Sequence, residues 1–133
     1  MQKLLIILLL VVVTYASDEL KIYERVLPAI FKMNKLKVFV SKDLESILSK
    51  SKHFVVVNDC NDADILFGRG FSKIKKECLK KPIFATNYIT FKTYINSFGA
   101  FYWRKARPQL RFKQEILDKF HLKLPNSLRK YAR

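Results

Sequence analysis

The chain has 133 residues, a formal charge of +15 and an apolar content of 50%. That apolar share excludes intrinsic disorder, and the length allows one domain with a real core. The surplus of bases favours acidic partners, namely nucleic acid, anionic lipid or an acidic protein face, although a solvated lysine-rich surface with no specific partner gives the same count.

The first sixteen residues, MQKLLIILLLVVVTYA, place one lysine before an apolar run from Leu4 to Val13. The run is about ten residues, half of the roughly 20 that span a bilayer, so a cleaved secretory signal is expected over a membrane anchor. Thr14 and Ala16 are the small residues of a cut after Ala16. The expected product is residues 17–133 as a single α/β domain, periplasmic or secreted, with no membrane span after cleavage. Export removes intracellular nucleic acid from the list of partners. It also changes the reading of Cys60 and Cys78: two buried thiols in the cytosol, a disulfide in an oxidising compartment.

DELKIYERVLPAIFKMN, residues 18–34, predicts a helix with Leu20, Tyr23, Leu27, Ile30 and Phe31 at helical spacing, kinked or split by Pro28. LKVFV, 36–40, predicts a strand, after which Ser41 caps a helix with Leu44, Ile47 and Leu48 on one side. HFVVVND, 53–59, and DILFG, 64–68, are the second and third strands. FSKIKKECLKK, 71–81, predicts a helix with Phe71, Ile74 and Cys78 on one face and lysines on the other. PIFATN, 82–87, is a fourth strand, and YITFKTYI, 88–95, a helix starting near Asn87 with Tyr88, Phe91 and Ile95 aligned. GAFYWRKARPQLRF, 99–112, reads as two strands around Ala106, Arg107 and Pro108, and the remainder as a helix, a turn at Pro125 and a last helical turn. The expected fold is therefore α/β, a single-layer, mostly parallel sheet flanked by short helices and ending in an antiparallel strand pair and a C-terminal helix.

The strand pair carries the first candidate site. Alternation puts Phe101 and Trp103 on one face and Tyr102 and Arg104 on the other, with Leu110 and Phe112 opposed to Arg111 and Lys113 in the partner strand. Burying a large aromatic is worth about 1.5–3 kcal/mol, so Phe101, Trp103, Leu110 and Phe112 are expected inside. Tyr102, Arg104, Lys105, Arg107, Arg111 and Lys113 are then left as a candidate partner surface. Such bases can dock an acidic protein or a small anion through Arg forks; they can also simply guard an edge strand, with help from Pro108. A single-stranded nucleic-acid platform needs outward aromatics among its bases, and only Tyr102 qualifies, so no nucleic-acid partner is expected.

Gly68, Arg69 and Gly70 form a second candidate, in which backbone N–H groups between a strand and a basic segment meet an anion beneath Arg69. A tight turn explains the same glycines. NDCNDAD, 58–64, fails as a calcium loop, because Ala63 takes the fifth position from Asp59 and no glycine and glutamate follow in register. His53 and His121 have no ligand spacing, so no metal site is assigned. GxSxG, HExxH and Walker sequences are missing, and no catalytic residue or cofactor is assigned; the expectation is a binding protein and not an enzyme.

CNDADILFG, 60–68, sets a short hydrophobic strand after a cysteine. FGAFYWRKARPQLRFKQEILDKFHLKLPNSLRKYA, 98–132, runs through Gly, alternating apolar residues, Phe, a helix and a leucine-rich end. Together these stretches resemble the YfiR-like family of periplasmic regulators. The chain departs from that family's usual double glycine at Ala100, from its asparagine at Gln114, and in having no additional cysteines. The resemblance implies a periplasmic, non-catalytic partner that restrains a membrane-bound diguanylate cyclase by contacting its outward-facing domain. The alternatives for the same charge are an envelope-associated protein binding anionic lipid or polysaccharide, and a small-anion-binding protein.

Overall fold

A computed structural model describes residues 19–133. The expected signal segment lies outside the described residues. Helix α1 covers 19–31. It is followed by β1 (Leu36–Val40), α2 (Lys42–Leu48), β2 (Phe54–Val56), β3 (Ile65–Gly68), β4 (Ile83–Ala85), α3 (Tyr88–Thr93), β5 (Ser97–Arg104), β6 (Arg107–Phe112) and α4 (Gln114–Lys119).

The six strands form one sheet in the order β2-β1-β3-β4-β5-β6. Every neighbouring pair is parallel except β5 and β6, which are antiparallel. The fold class is thus the expected α/β, with its antiparallel pair at one edge and a C-terminal helix. The chain steps outward from β1 to β2, then returns past β1 to build β3, β4 and β5. Its direction of progress reverses between β1 and β3, and in open α/β sheets ligand crevices form beyond the carboxyl ends of strands at such a reversal.

Both faces of the sheet are covered. On one, Tyr23 and Leu27 of α1, Leu44 and Leu48 of α2, and Ile116 and Leu117 of α4 pack on Val38, Ile65, Phe67, Phe84, Phe101 and Phe112. On the other, Leu66 and Ile83 meet Phe71 and the two cysteines, while Ala85, Ala100 and Tyr102 meet Phe91 of α3. β3 and β4 are buried at every position, as strands covered on both sides must be. The β4–β5 register shifts between Ile83, which pairs with Ser97, and Phe84, which pairs with Gly99. The extra residue is Phe98, and the bulge lets Phe98 join the same core as Phe101 although they are three positions apart.

Several elements depart from expectation. α1 is continuous through Pro28, because its buried stripe of Tyr23, Val26, Leu27 and Ile30 holds both halves on the sheet. It ends at Lys32, left-handed at φ 54°, where the N–H of Met33 closes on the Pro28 carbonyl at 3.2 Å. Residues 71–81 form no α-helix but two separate 3₁₀ turns, Phe71–Lys73 and Cys78–Lys80, with Ile74 extended between them. Cys78 is bonded to Cys60 with their Cα atoms 5.9 Å apart, and the Lys81 ammonium donates to the carbonyls of Asn61 and Ala63 at 2.7 and 2.6 Å. A continuous helix would also stack Lys73, Lys76 and Lys80 at repelling i,i+3 and i,i+4 positions. Phe71 and Cys78 are still buried together, so the apolar pattern marked the covered face correctly. The predicted strand over 53–59 narrows to β2. α3 starts after Asn87, whose side chain accepts from the Thr90 N–H at 2.8 Å, but it ends at Thr93, buries Thr90 and Phe91 and leaves Tyr88 exposed, with Ile95 exposed beyond its end.

At the outer edge of the sheet, Phe112 bridges to Ala132, the Arg133 N–H donates to the Phe112 carbonyl at 3.1 Å, and the Gln114 N–H to the Arg133 carbonyl at 3.0 Å.

Candidate functional site

The carboxyl ends of β1, β3, β4 and β5 bring together residues that are far apart in sequence. Gly68 closes β3 at φ 130°, and a Cβ there would collide with the Ser41 side chain that follows β1. The two strand ends approach so closely only because glycine stands at 68. Ser41 occupies the N-cap position of α2, yet its hydroxyl makes no cap bond; it accepts instead from the Arg69 N–H at 3.3 Å. Arg69 Nε lies 3.3 Å from Asp43 Oδ2 in the first turn of α2. That pair is partly exposed and worth at most about 1 kcal/mol, so it orients the guanidinium more than it stabilises the fold.

The hairpin tip is the other half of the site. Arg104 and Arg107 are directly paired across β5 and β6. Lys105 and Ala106 between them sit at φ 49° and 62°. Both central residues at positive φ define a type I′ turn, which favours Asn-Gly; neither residue here is suited to it, and each left-handed L-residue costs roughly 1–2 kcal/mol. Like charges placed directly opposite add a further penalty. Three bases are therefore held at one tip against local stability.

The predicted partner surface divides. Arg104, Lys105 and Arg107 are exposed at the tip. Tyr102, expected outside, is only 5% exposed beneath α3, because the sheet is covered on that face as well. Trp103, expected inside, is 45% exposed at the strand end; its indole N–H donates to Glu19 Oε1 at 3.0 Å and its ring meets Phe101 edge-on at 6.1 Å. Leu110 is partly buried and Phe112 fully so. Arg111, opposite Ala100, is half-buried. Lys113 is also half-buried: its ammonium donates to the Phe91 carbonyl at 2.8 Å and stands 4.5 Å over that ring, which fastens β6 to α3. Burial pushes its pKa down, against an opposing pull from Glu115.

Arg104 joins Arg69 instead, around a hollow of about 540 Å³ completed by Thr86, Asn87, Tyr88, Tyr102 and Trp103. A recess of about 190 Å³ adjoins it through shared residues and reaches Glu19, Tyr23 and Asp43. Burial, with Glu19 and Asp43 nearby, pushes the Tyr23 phenol well above its ordinary range, so it stays protonated. Thr86 Oγ1 and Tyr102 OH are both buried with no hydrogen-bond partner among the described residues. Each such orphan costs about 1–3 kcal/mol of desolvation. Sequence reasoning missed Thr86, Tyr88 and Asp43 as site residues; the available signal was the position of Thr86 immediately beyond a strand. A groove of about 720 Å³ between α1 and the C-terminal turn is mostly apolar, with Arg25 the one charged residue on its wall among the described residues.

Among the described residues no group of three or more His, Cys, Asp or Glu side chains could hold a metal, and no helix is long and apolar enough to cross a membrane. Comparison with protein-family models, with curated proteins and with solved structures gave no match.

Proposed function

We propose that this chain is an exported, non-catalytic binding module that regulates a membrane signalling protein by docking its basic hairpin tip on an acidic, outward-facing domain. The observation that carries this reading is the direct opposition of Arg104 and Arg107 on a strained turn. Backbone strain and like-charge repulsion held at an exposed site are explained by a bound anionic surface that offsets them. The Cys60–Cys78 disulfide supports an oxidising compartment, periplasmic or extracellular. The resemblance to YfiR-like regulators makes a membrane-bound diguanylate cyclase the partner to test first.

The experiment is affinity recovery from a membrane extract with the wild-type chain and with Arg104→Glu/Arg107→Glu. The expected result is one saturable partner lost on charge reversal. Equal recovery by both forms removes the tip from the account. Binding that instead falls steeply with salt and transfers to any anionic vesicle or polysaccharide identifies the alternative, an envelope-associated basic protein.

A further inference from the structure

We infer that the hollow at the carboxyl ends of β3, β4 and β5 binds a phosphomonoester carried on a ring, a sugar phosphate or a nucleoside monophosphate. The phosphate is received by Arg69 and Arg104, and the ring by the half-exposed faces of Tyr88 and Trp103. This site goes beyond the docking role of the hairpin tip; it shares Arg104 with that tip and otherwise stands on separate observations.

Position is the first of these. The hollow lies beyond the carboxyl ends of parallel strands, and its neighbouring recess reaches the β1–β3 reversal where α/β sheets place their ligands. Its volume of about 540 Å³ falls within the roughly 300–1,000 Å³ of small-molecule sites.

Charge is the second. The wall carries two guanidinium groups and, among the described residues, no carboxylate; Asp43 holds Arg69 from the side of the adjoining recess. Two guanidiniums line the hollow, and behind its wall Thr86 Oγ1 and Tyr102 OH are buried without a hydrogen-bond partner among the described residues; with those hydroxyls turned toward a ligand, the four donor groups outnumber the two oxygens of a carboxylate and suit the three terminal oxygens of a phosphomonoester.

The rim is the third. Most of the chain's aromatic side chains are buried, yet Tyr88 and Trp103 stand 47% and 45% exposed on the border of this hollow. Glu19 holds the indole of Trp103, and the Tyr88 ring rests 6.0 Å from that of Tyr102, so both surfaces are positioned before a ligand arrives.

Trp103 is the only tryptophan in the chain, so its fluorescence reports on the site. The oxidised protein is titrated with AMP, glucose 6-phosphate, inorganic phosphate and adenosine, followed by fluorescence and in parallel by calorimetry. The expected result is saturable binding of one or both esters at least about tenfold tighter than inorganic phosphate, with no binding of adenosine; which ester binds identifies the source of the ring. Arg104→Ala and Tyr102→Phe each weaken binding about tenfold, as loss of a charged or hydroxyl donor to phosphate does. Tyr102→Phe removes a hydroxyl that has no partner among the described residues, so the variant keeps its fold and its docking tip, and a failure of ligand binding is read separately from a failure of docking. Asp43→Asn frees Arg69 from a competing carboxylate and tightens the complex. Absence of saturable binding by either ester in both measurements, equal affinity for inorganic phosphate, or binding untouched by both Arg104→Ala and Tyr102→Phe overturns the assignment.

Discussion

The space that a side chain on Gly68 would need is already taken by the side chain of Ser41, which in turn accepts a hydrogen bond from Arg69. β1 and β3 are joined at their carboxyl ends by this close approach. Gly68→Ala meets both the Ser41 side chain and a backbone conformation of φ 130°, and should lose about 2 kcal/mol or more in urea unfolding. Adding Ser41→Gly relieves the collision but not the backbone strain, so the double variant should regain only part of the loss.

Ala106→Gly should act in the opposite direction. At φ 62° the alanine is strained, and glycine removes that strain while adding freedom to the unfolded chain. The net expectation is a gain of about 0.5–1 kcal/mol, read as a higher urea midpoint at unchanged slope. The bases of the tip are untouched, so partner recovery should not change.

The cystine lends itself to a direct measurement. Intact mass under non-reducing conditions should be lighter by two hydrogen atoms than that of the reduced chain. Cys60 and Cys78 are 18 positions apart, and closing a loop of that size adds on the order of 3 kcal/mol by the chain-entropy model. Reduction should lower the denaturation midpoint accordingly, and the Cys60→Ser/Cys78→Ser variant should match the reduced protein.

Lys113 gives a pH signature with a definite sign. Its pKa in the folded chain lies below the usual 10.5, mainly through burial. Between the folded value and 10.5, the unfolded chain holds a proton that the folded chain has released, so stability from this group rises with pH across that alkaline window. Below the folded value the burial penalty is fully present and constant. In Lys113→Met the contribution disappears, and the difference between the two stability curves should be flat at neutral pH and tilt only in the alkaline window. A difference that tilts near neutrality instead would contradict the placement of this ammonium.

Much of the architecture was legible because parallel strands and helix starts leave local marks. LKVFV is β1 to the residue, and Asn87 caps α3 as its chemistry suggests. The errors arise in two places where contacts distant in sequence decide. Alternation in GAFYWR tells which side chains share a face, and Phe101 and Trp103 do; it tells neither that the opposite face is also covered, which buries Tyr102, nor how far the covering layer reaches, which leaves Trp103 exposed at the strand end. In 71–81 the period of the apolar residues was right, but a covalent tie to Cys60 and a lysine clamp outweighed helix formation. The candidate site was visible only in halves. Arg69 and Arg104 belong to one hollow because strand order makes β3, β4 and β5 neighbours, and no local pattern encodes that order.

The return of residues 131–133 along Phe112 has a practical outcome. A chain cut back before Tyr131 would leave the Phe112 carbonyl and the Gln114 N–H without these partners at the end of an edge strand, the kind of sticky border on which molecules polymerise strand by strand. These few residues thus cap one end of β6, and shortening them should raise the tendency of the chain to aggregate on concentration.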